Sequence, residues 1–246
     1  MNLLAFDTST DILSIAVQRG EGESARTWHH TGPGGAQAST ALIPAIQQLM
    51  AQAGLQFDQL NAIAFGRGPG SFTGLRTACS VAQGLAFGAG VPVLPIDTLM
   101  AVAEEARFKA IESGHLEANV CFNVLALLDA RMDEVYAAHY EFDSKLYNIH
   151  GNYQLIRPEK LVMDLFLQNG SLVAGNALAV HGERLAIGGA AYTHALPTAS
   201  ALLRLAPHLL AAGQAVPADQ ALPTYIRDKV ARTTQERLAD KAAALA

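Results

Sequence analysis

Charge is what this sequence has least of. Only 16% of its 246 residues are Asp, Glu, Lys or Arg, where globular chains carry about a quarter. Cysteine is scarce as well. Cys79 and Cys121 form no CxxC pair, which excludes a disulfide framework. The eight histidines show neither HxxxH nor HExxH spacing, so no histidine–carboxylate metal site is indicated and none is expected. No apolar run reaches the roughly 18 residues of a membrane span. The opening Met1–Asp7 has no basic segment and meets an aspartate at once, so no signal peptide is expected. What is present is apolar: 50% hydrophobic residues, mean hydropathy +0.19 and net charge −5. That balance excludes a disordered chain. The expectation is a soluble cytoplasmic protein, one large or two small domains around a sizeable core.

The deficit is local. No charged side chain lies between Arg26 and Asp58, and none between Arg76 and Asp97. Residues 1–106 contain four basic residues, Arg19, Arg26, Arg67 and Arg76, while the other thirteen of seventeen lie beyond.

Periodicity predicts a meander of three strands at Leu3–Phe6, Ile12–Gln18 and Ala25–His30. A helix over Ala38–Ala53 carries the stripe Leu42, Ala45, Ile46, Leu49, Met50 and Ala53, is interrupted by Pro44 and is closed by Gly54. A strand at Asn61–Gly66, the glycine loop Gly66–Ser71, a helix over Phe72–Phe87, a strand at Val91–Ile96 and a helix over Thr98–Arg107 form a βαβ unit with parallel strands. The second half repeats that grammar. Strands are expected at Val120–Leu128, Glu134–Tyr140, Tyr153–Ile156 and Leu172–Gly175, with helices from Pro158 to about Gln168 and over Ser200–Ala212. The tail from Arg227 to Lys241 reads as a solvated helical end. Both halves show a hairpin with an acidic turn followed by alternating helices and strands, which points to duplication.

Several constellations carry chemistry, each beside a plainer role. The glycine loop, with Ser71 or Thr73 as a helix cap, is either an anion nest or a tight turn for close packing. It is neither a Walker A loop nor GxGxxG. Asp7 either holds a metal–nucleotide complex or closes an Asx-turn. Asp129, Arg131, Asp133 and Glu134 offer paired carboxylates for acid–base work, or a hairpin whose ion pairs satisfy one another. Cys79 reads as a small buried hydrophobe. The helices at 38–53 and 72–88 contain Arg76 as their single charged residue. A solvated helix face normally carries charge, and interface cores are depleted of it. These helices are therefore buried on both sides, the second side covered by another chain or by the rest of this one.

Phe65-Gly66-Arg67-Gly68-Pro69-Gly70-Ser71-Phe72-Thr73-Gly74-Leu75-Arg76 closely resembles the signature of the TsaB (YeaZ) family. Leu4–Thr10 resembles that family's first hairpin, Asp129–Tyr136 its second, and Pro223-Thr224-Tyr225-Ile226-Arg227-Asp228-Lys229-Val230-Ala231 its closing segment. Many members carry a histidine six residues before the first helix's proline; here that position is Ala38.

The resemblance implies an α/β fold of two ribonuclease-H-like domains of the actin/Hsp70/sugar-kinase kind, mixed sheets flanked by helices. Its boundaries fall at residues 1–106, 107–231 and a tail, 232–246. It implies a non-catalytic subunit in the making of threonylcarbamoyladenosine at position 37 of tRNAs that read ANN codons. The implied partners are the catalytic paralogue TsaD and the ATPase TsaE, with a homodimer when the chain is alone and tRNA met only through the complex. No cofactor of its own is implied, with room for ATP or ADP at the subunit junction. The expected interface comprises Ser39, Leu42, Ile43, Ile46, Gln47, Met50, Thr77, Ser80, Val81, Gln83 and Gly84. The expected nucleotide contacts are Asp7, Thr8, Ser9, Gly68, Gly70, Ser71 and Arg76. The alternative is a stand-alone kinase or ATPase of the same fold. A metalloprotease is disfavoured by the missing histidine pair. Direct tRNA binding is disfavoured by the scarcity of basic residues in the first half.

Overall fold

A computed structural model describes residues 1–117, 120–143, 147–161 and 171–227. The strands follow from a period of two. In β1, Leu3–Asp7, Leu4 and Phe6 enter one core while Leu3 and Ala5 enter another, because successive side chains leave a strand on opposite faces. β1 pairs antiparallel with β2, Ile12–Arg19, which pairs antiparallel with β3, Arg26–Pro33. On its other side β1 runs parallel to β4, Ala62–Gly68, and β4 parallel to β5, Val93–Asp97. The order is β3-β2-β1-β4-β5. The second sheet is built from β6, Phe122–Asp129, β7, Val135–Phe142, β8, Tyr147–Ile156, β9, Leu172–Gly175, and β10, Ala191–His194, in the order β10-β9-β6-β7-β8. Put β6 to β10 in place of β1 to β5 and the two orders coincide, as the repeated grammar predicts.

Helices fill three layers. α1, Ala38–Ala53, and α2, Phe72–Ala89, cover one face of the first sheet, with Leu42, Ile46 and Met50 packed on Leu4, Phe6, Leu13 and Ile15. α3, Thr98–Glu112, and α5, Ala199–Ala211, lie between the sheets in the largest core, which draws residues from both. A third core, with Leu125, Leu127 and Val173, lies on the far face of the second sheet beside α4, Ala177–His181. The expected boundary at residue 106 falls inside α3, and α5 packs on β1, β2 and β4 of the first sheet. At this seam Glu104 is buried. It accepts hydrogen bonds from Nε of Arg107 and Nε of Arg204, both at 2.8 Å, and from the Tyr147 hydroxyl at 3.1 Å. A buried carboxylate persists when paired in this way.

Departures from the sequence reading have local causes. β3 runs on to Pro33 because an edge strand tolerates the missing N–H. β4 absorbs Arg67 and Gly68 through an irregularity in its pairing with β5. α3 extends to Glu112. α1 continues through the exposed Pro44 and ends, as expected, at Gly54 in the left-handed region with φ 63°. Pro158–Lys160 is a single 3-10 turn. Most of the helix expected toward Gln168 lies outside the described residues, as does the tail beyond Arg227. Among the described residues no helix is long and apolar enough to cross a membrane.

Candidate functional site

The glycine loop and the Asp7 turn are made for each other. Gly66, Gly70 and Gly74 recur every fourth residue. A Cβ at Gly66 would stand 1.7 Å from Asp7 Oδ2, one at Gly70 2.6 Å from Ser9 Cβ, and one at Gly74 1.8 Å from the Thr8 carbonyl oxygen. Only glycine permits that approach. The Ser71 amide donates to the Ser9 carbonyl at 2.8 Å, the Gly68 amide to Thr98 Oγ1 at 3.1 Å, and the Thr8 hydroxyl to the Gly74 carbonyl at 2.7 Å. Two loop amides that a phosphate would need are thus already engaged. The Ser71 side chain does not cap α2, contrary to expectation, because its backbone makes the contact with the Asp7 turn instead.

Asp7 closes the Asx-turn. Its Oδ1 accepts from the Ser9 amide at 2.8 Å and the Ser9 hydroxyl at 2.6 Å. Its Oδ2 is buried with no hydrogen-bond partner. Burial outweighs the Ser9 bonds and pushes the carboxyl up to about 6.

Above this turn lies a cavity of about 600 Å³ with walls from both halves. Of the residues expected to contact nucleotide, Ser9, Gly70, Ser71 and Arg76 line it. Asp7, Thr8 and Gly68 do not, because they are buried beneath the turn and loop. The turn after β6 forms the opposite wall. Arg131, Met132 and Asp133 follow one another with φ of 60°, 53° and 63°, a conformation that ordinary residues hold only under constraint. The constraint comes from afar. Arg131 pairs with Asp11 on the first half's hairpin. Asp133 accepts from Nη1 of Arg184 at 2.6 Å, and Glu134 from Nη2 of Arg227 at 2.6 Å. Arg184 holds the Asp133 carboxyl below its usual range. The expected self-contained ion pairs therefore reduce to Arg131–Asp129 at 3.6 Å, and distant partners do the rest. Among the described residues no group of three or more His, Cys, Asp or Glu is placed to hold a metal.

The closing segment completes the cavity as a strap. The Ala221 carbonyl accepts from Gln83 Nε2 at 2.9 Å, the Thr224 amide donates to the Arg67 carbonyl at 2.7 Å, and Arg227 donates to the Ala130 carbonyl at 3.1 Å. Tyr225 packs on Phe72 with ring centroids 5.3 Å apart and accepts from Arg76 Nε at 3.1 Å. Phe72, Tyr225 and Arg227 are absent from the candidates read from sequence. The Pro-x-Tyr-x-Arg pattern is the signal that would have included the last two.

The outward face of α1 and α2 presents Ser39, Ile43, Gln47, Ser80 and Gly84 to solvent, with Thr77, Val81 and Gln83 half-buried. Ile43 is 43% exposed and Phe87, at the end of α2, 83%. Leu42, Ile46 and Met50 lie off this outward face: they point into the chain's own core. Their i, i+4 spacing is the helix's sheet-facing stripe.

Two like-ordered mixed sheets facing across a cleft, with helices between and outside, define a protein of the actin-like, ribonuclease-H-like class. A family model described as "TsaD: tRNA N6-adenosine threonylcarbamoyltransferase" matches residues 29–246. The TsaB tRNA threonylcarbamoyladenosine biosynthesis protein of Haemophilus influenzae is 34% identical, covering 94% of this chain and 95% of its own. The Escherichia coli protein of the same name is 31% identical over 94% and 96%. The solved structure of YeaZ from Pseudomonas aeruginosa superposes with a TM-score of 0.78 at 35% identity, covering 92% of this chain and 99% of that one. The chain belongs to the family that model describes and, within it, to the TsaB (YeaZ) proteins.

Proposed function

We propose that this chain is a non-catalytic activating subunit in the synthesis of tRNA threonylcarbamoyladenosine, and that it works by docking the catalytic TsaD subunit on the outward face of α1 and α2. The observation that carries the reading is that face itself: exposed, built of small, apolar and amide side chains, and without charge apart from Arg76. Such a surface suits burial against protein. In the absence of TsaD the same face pairs two copies of the chain, and TsaE joins the assembled complex in the cytoplasm. tRNA is met through the complex, since the first half has few cations with which to hold phosphates.

The packed glycine loop supports a non-catalytic role. Its amides at Gly68 and Ser71 already have acceptors within the chain, and Asp7 is walled off from the cavity. The chain needs no cofactor of its own in this reading. ATP or ADP belongs at the junction with the partner, beside Ser9, Gly70 and Ser71. The test is co-purification with TsaD and threonylcarbamoyl transfer to tRNA, measured for Ile43→Arg and Ser80→Arg. Both variants should lose binding and transfer. Normal binding and transfer by both would remove the assignment.

A further inference from the structure

We propose that Arg76 is a fixed guanidinium anchor that receives a carboxylate from the protein covering α1 and α2. This rests on the docking reading above and names the chemistry the partner must bring.

The first observation is isolation. Arg76 is the one charged residue in α1 and α2. Arg67, Arg107, Arg131, Arg184, Arg204 and Arg227 each have a carboxylate partner within the chain. Arg76, like Arg19, Arg26 and Arg157, has no such ion pair among the described residues, and of these four it is the one that lines the cavity with Asp11 and Asp129.

The second observation is preorganisation. The guanidinium carbon lies 3.8 Å from the centroid of the Phe72 ring, and Nε donates to the Tyr225 hydroxyl at 3.1 Å. Tyr225 is itself fixed by its packing on Phe72 and by the neighbouring Thr224 amide on the Arg67 carbonyl. A free surface arginine loses rotamer freedom when it binds; this one has already lost it. Stacking and the Nε bond leave the two terminal amino groups as an open fork, a geometry that matches a carboxylate.

The third observation is the setting. Arg76 lies in an exposed row of α2 with Phe72, Ser80, Gly84 and Phe87. A partner lying along that row covers Arg76, and an uncharged covering surface would strand a buried cation. The partner therefore has an acidic side chain facing Arg76 within an otherwise uncharged patch. A phosphate is the other anion that fits a guanidinium fork. It is disfavoured because the adjacent amides of Gly68 and Ser71, which would share its charge, already donate within the chain. Arginine and tyrosine in apolar surroundings are also the residue types that dominate binding at protein interfaces.

The experiment measures the affinity of the full chain for TsaD by calorimetry at low and high salt. Ile43→Arg serves as the control for the docking face. Arg76→Gln should weaken binding roughly 30-fold or more and flatten its salt dependence. Arg76→Lys, which keeps the charge and loses the fork, should still weaken binding roughly 10-fold. Arg76→Glu should be rescued by a Lys in place of one Asp or Glu on TsaD, and that rescue identifies the acid even if the single variants are less stable. If Ile43→Arg abolishes binding while Arg76→Gln binds as the parent does, the anchor is refuted and the docking face stands. If Ile43→Arg and Ser80→Arg both bind normally, the docking face itself fails. If Arg76→Gln retains TsaD and instead loses ADP from the complex, the fork serves phosphate and the proposal is overturned.

Discussion

Asp7 and Asp129 occupy the same place in the two sheets, each the last residue of the strand that heads its hairpin. One is sealed and the other is paired. Asp7 is buried with a carboxylate oxygen unpartnered, its turn clamped under three glycines. Asp129 lines the cavity, 3.2 Å from His181 Nε2 and 3.6 Å from Arg131. The helices differ likewise: α2 spans 18 residues with one charge, while its counterpart α4 spans 5. A shared strand order thus fixes where an acid sits and says nothing of its work. In the first half the loop and turn are packed into one another by the three glycines at the start of α2. In the second half the turn is held by ion pairs, and its opposite partners come from elsewhere in the chain.

The comparison can be tested, beginning where the halves meet. Glu104→Ala should cost about 3–5 kcal/mol, because it removes the shared acceptor of Arg107, Arg204 and Tyr147 at the seam and leaves Arg204 with Glu105. Denaturant unfolding should remain a single transition, since the largest core belongs to both sheets; two separated transitions would show the halves to be independent. Gly74→Ala comes next. Its Cβ would meet a backbone oxygen at 1.8 Å, and overpacking of this kind costs about 3 kcal/mol.

Asp7→Asn probes the sealed acid through pH. Native Asp7 keeps its proton up to about 6, whereas the unfolded chain releases it near 4. The native state binds more protons in that window, so wild-type stability falls as pH rises from about 4 to about 6 and then levels. The variant should lack this slope, a difference of roughly 2–3 kcal/mol across the window. Asp129→Asn, which weakens the contacts with Arg131 and His181, should cost about 1 kcal/mol at neutral pH. A slope retained in Asp7→Asn would show that the sealed acid is not its source. The smallest effect is a gain. Gly84 has open space at its Cβ, so Gly84→Ala should raise stability by about 0.5–1 kcal/mol while weakening TsaD binding.

Legibility followed the length of each signal. α1 was readable to the residue because its apolar stripe ends on Gly54 in the left-handed conformation such an end favours. The matching strand orders were foreshadowed by two acidic hairpins. α4, with 5 residues, is too short for a helical period to register, and β10, Ala-Tyr-Thr-His, has no apolar run of the kind that marks the equally short β9. At the site, the glycine loop was visible but not its occupant, since the turn that fills it lies some sixty residues earlier in the chain. The Arg131–Asp11 clasp joins positions 120 apart, beyond any local pattern. Leu42, Ile46 and Met50 lie in the core but are expected on the outward face for a related reason. A helix with no charged face gives little indication which apolar side meets its own sheet.

The position of α5 has a consequence for the newborn protein. Leu3, Ala5 and Ala16 are roofed by a helix far later in the chain, which ends at Ala211, and the Ala199 amide reaches back 185 residues to the Ser14 hydroxyl. Synthesis at about 5–20 residues per second leaves that face of the first sheet bare for ten seconds or more. During that interval an apolar β surface stands open to aggregation or to a chaperone. A chain released before Ala199 would carry α1 and α2 on one face of a first sheet that still lacks α5 on the other.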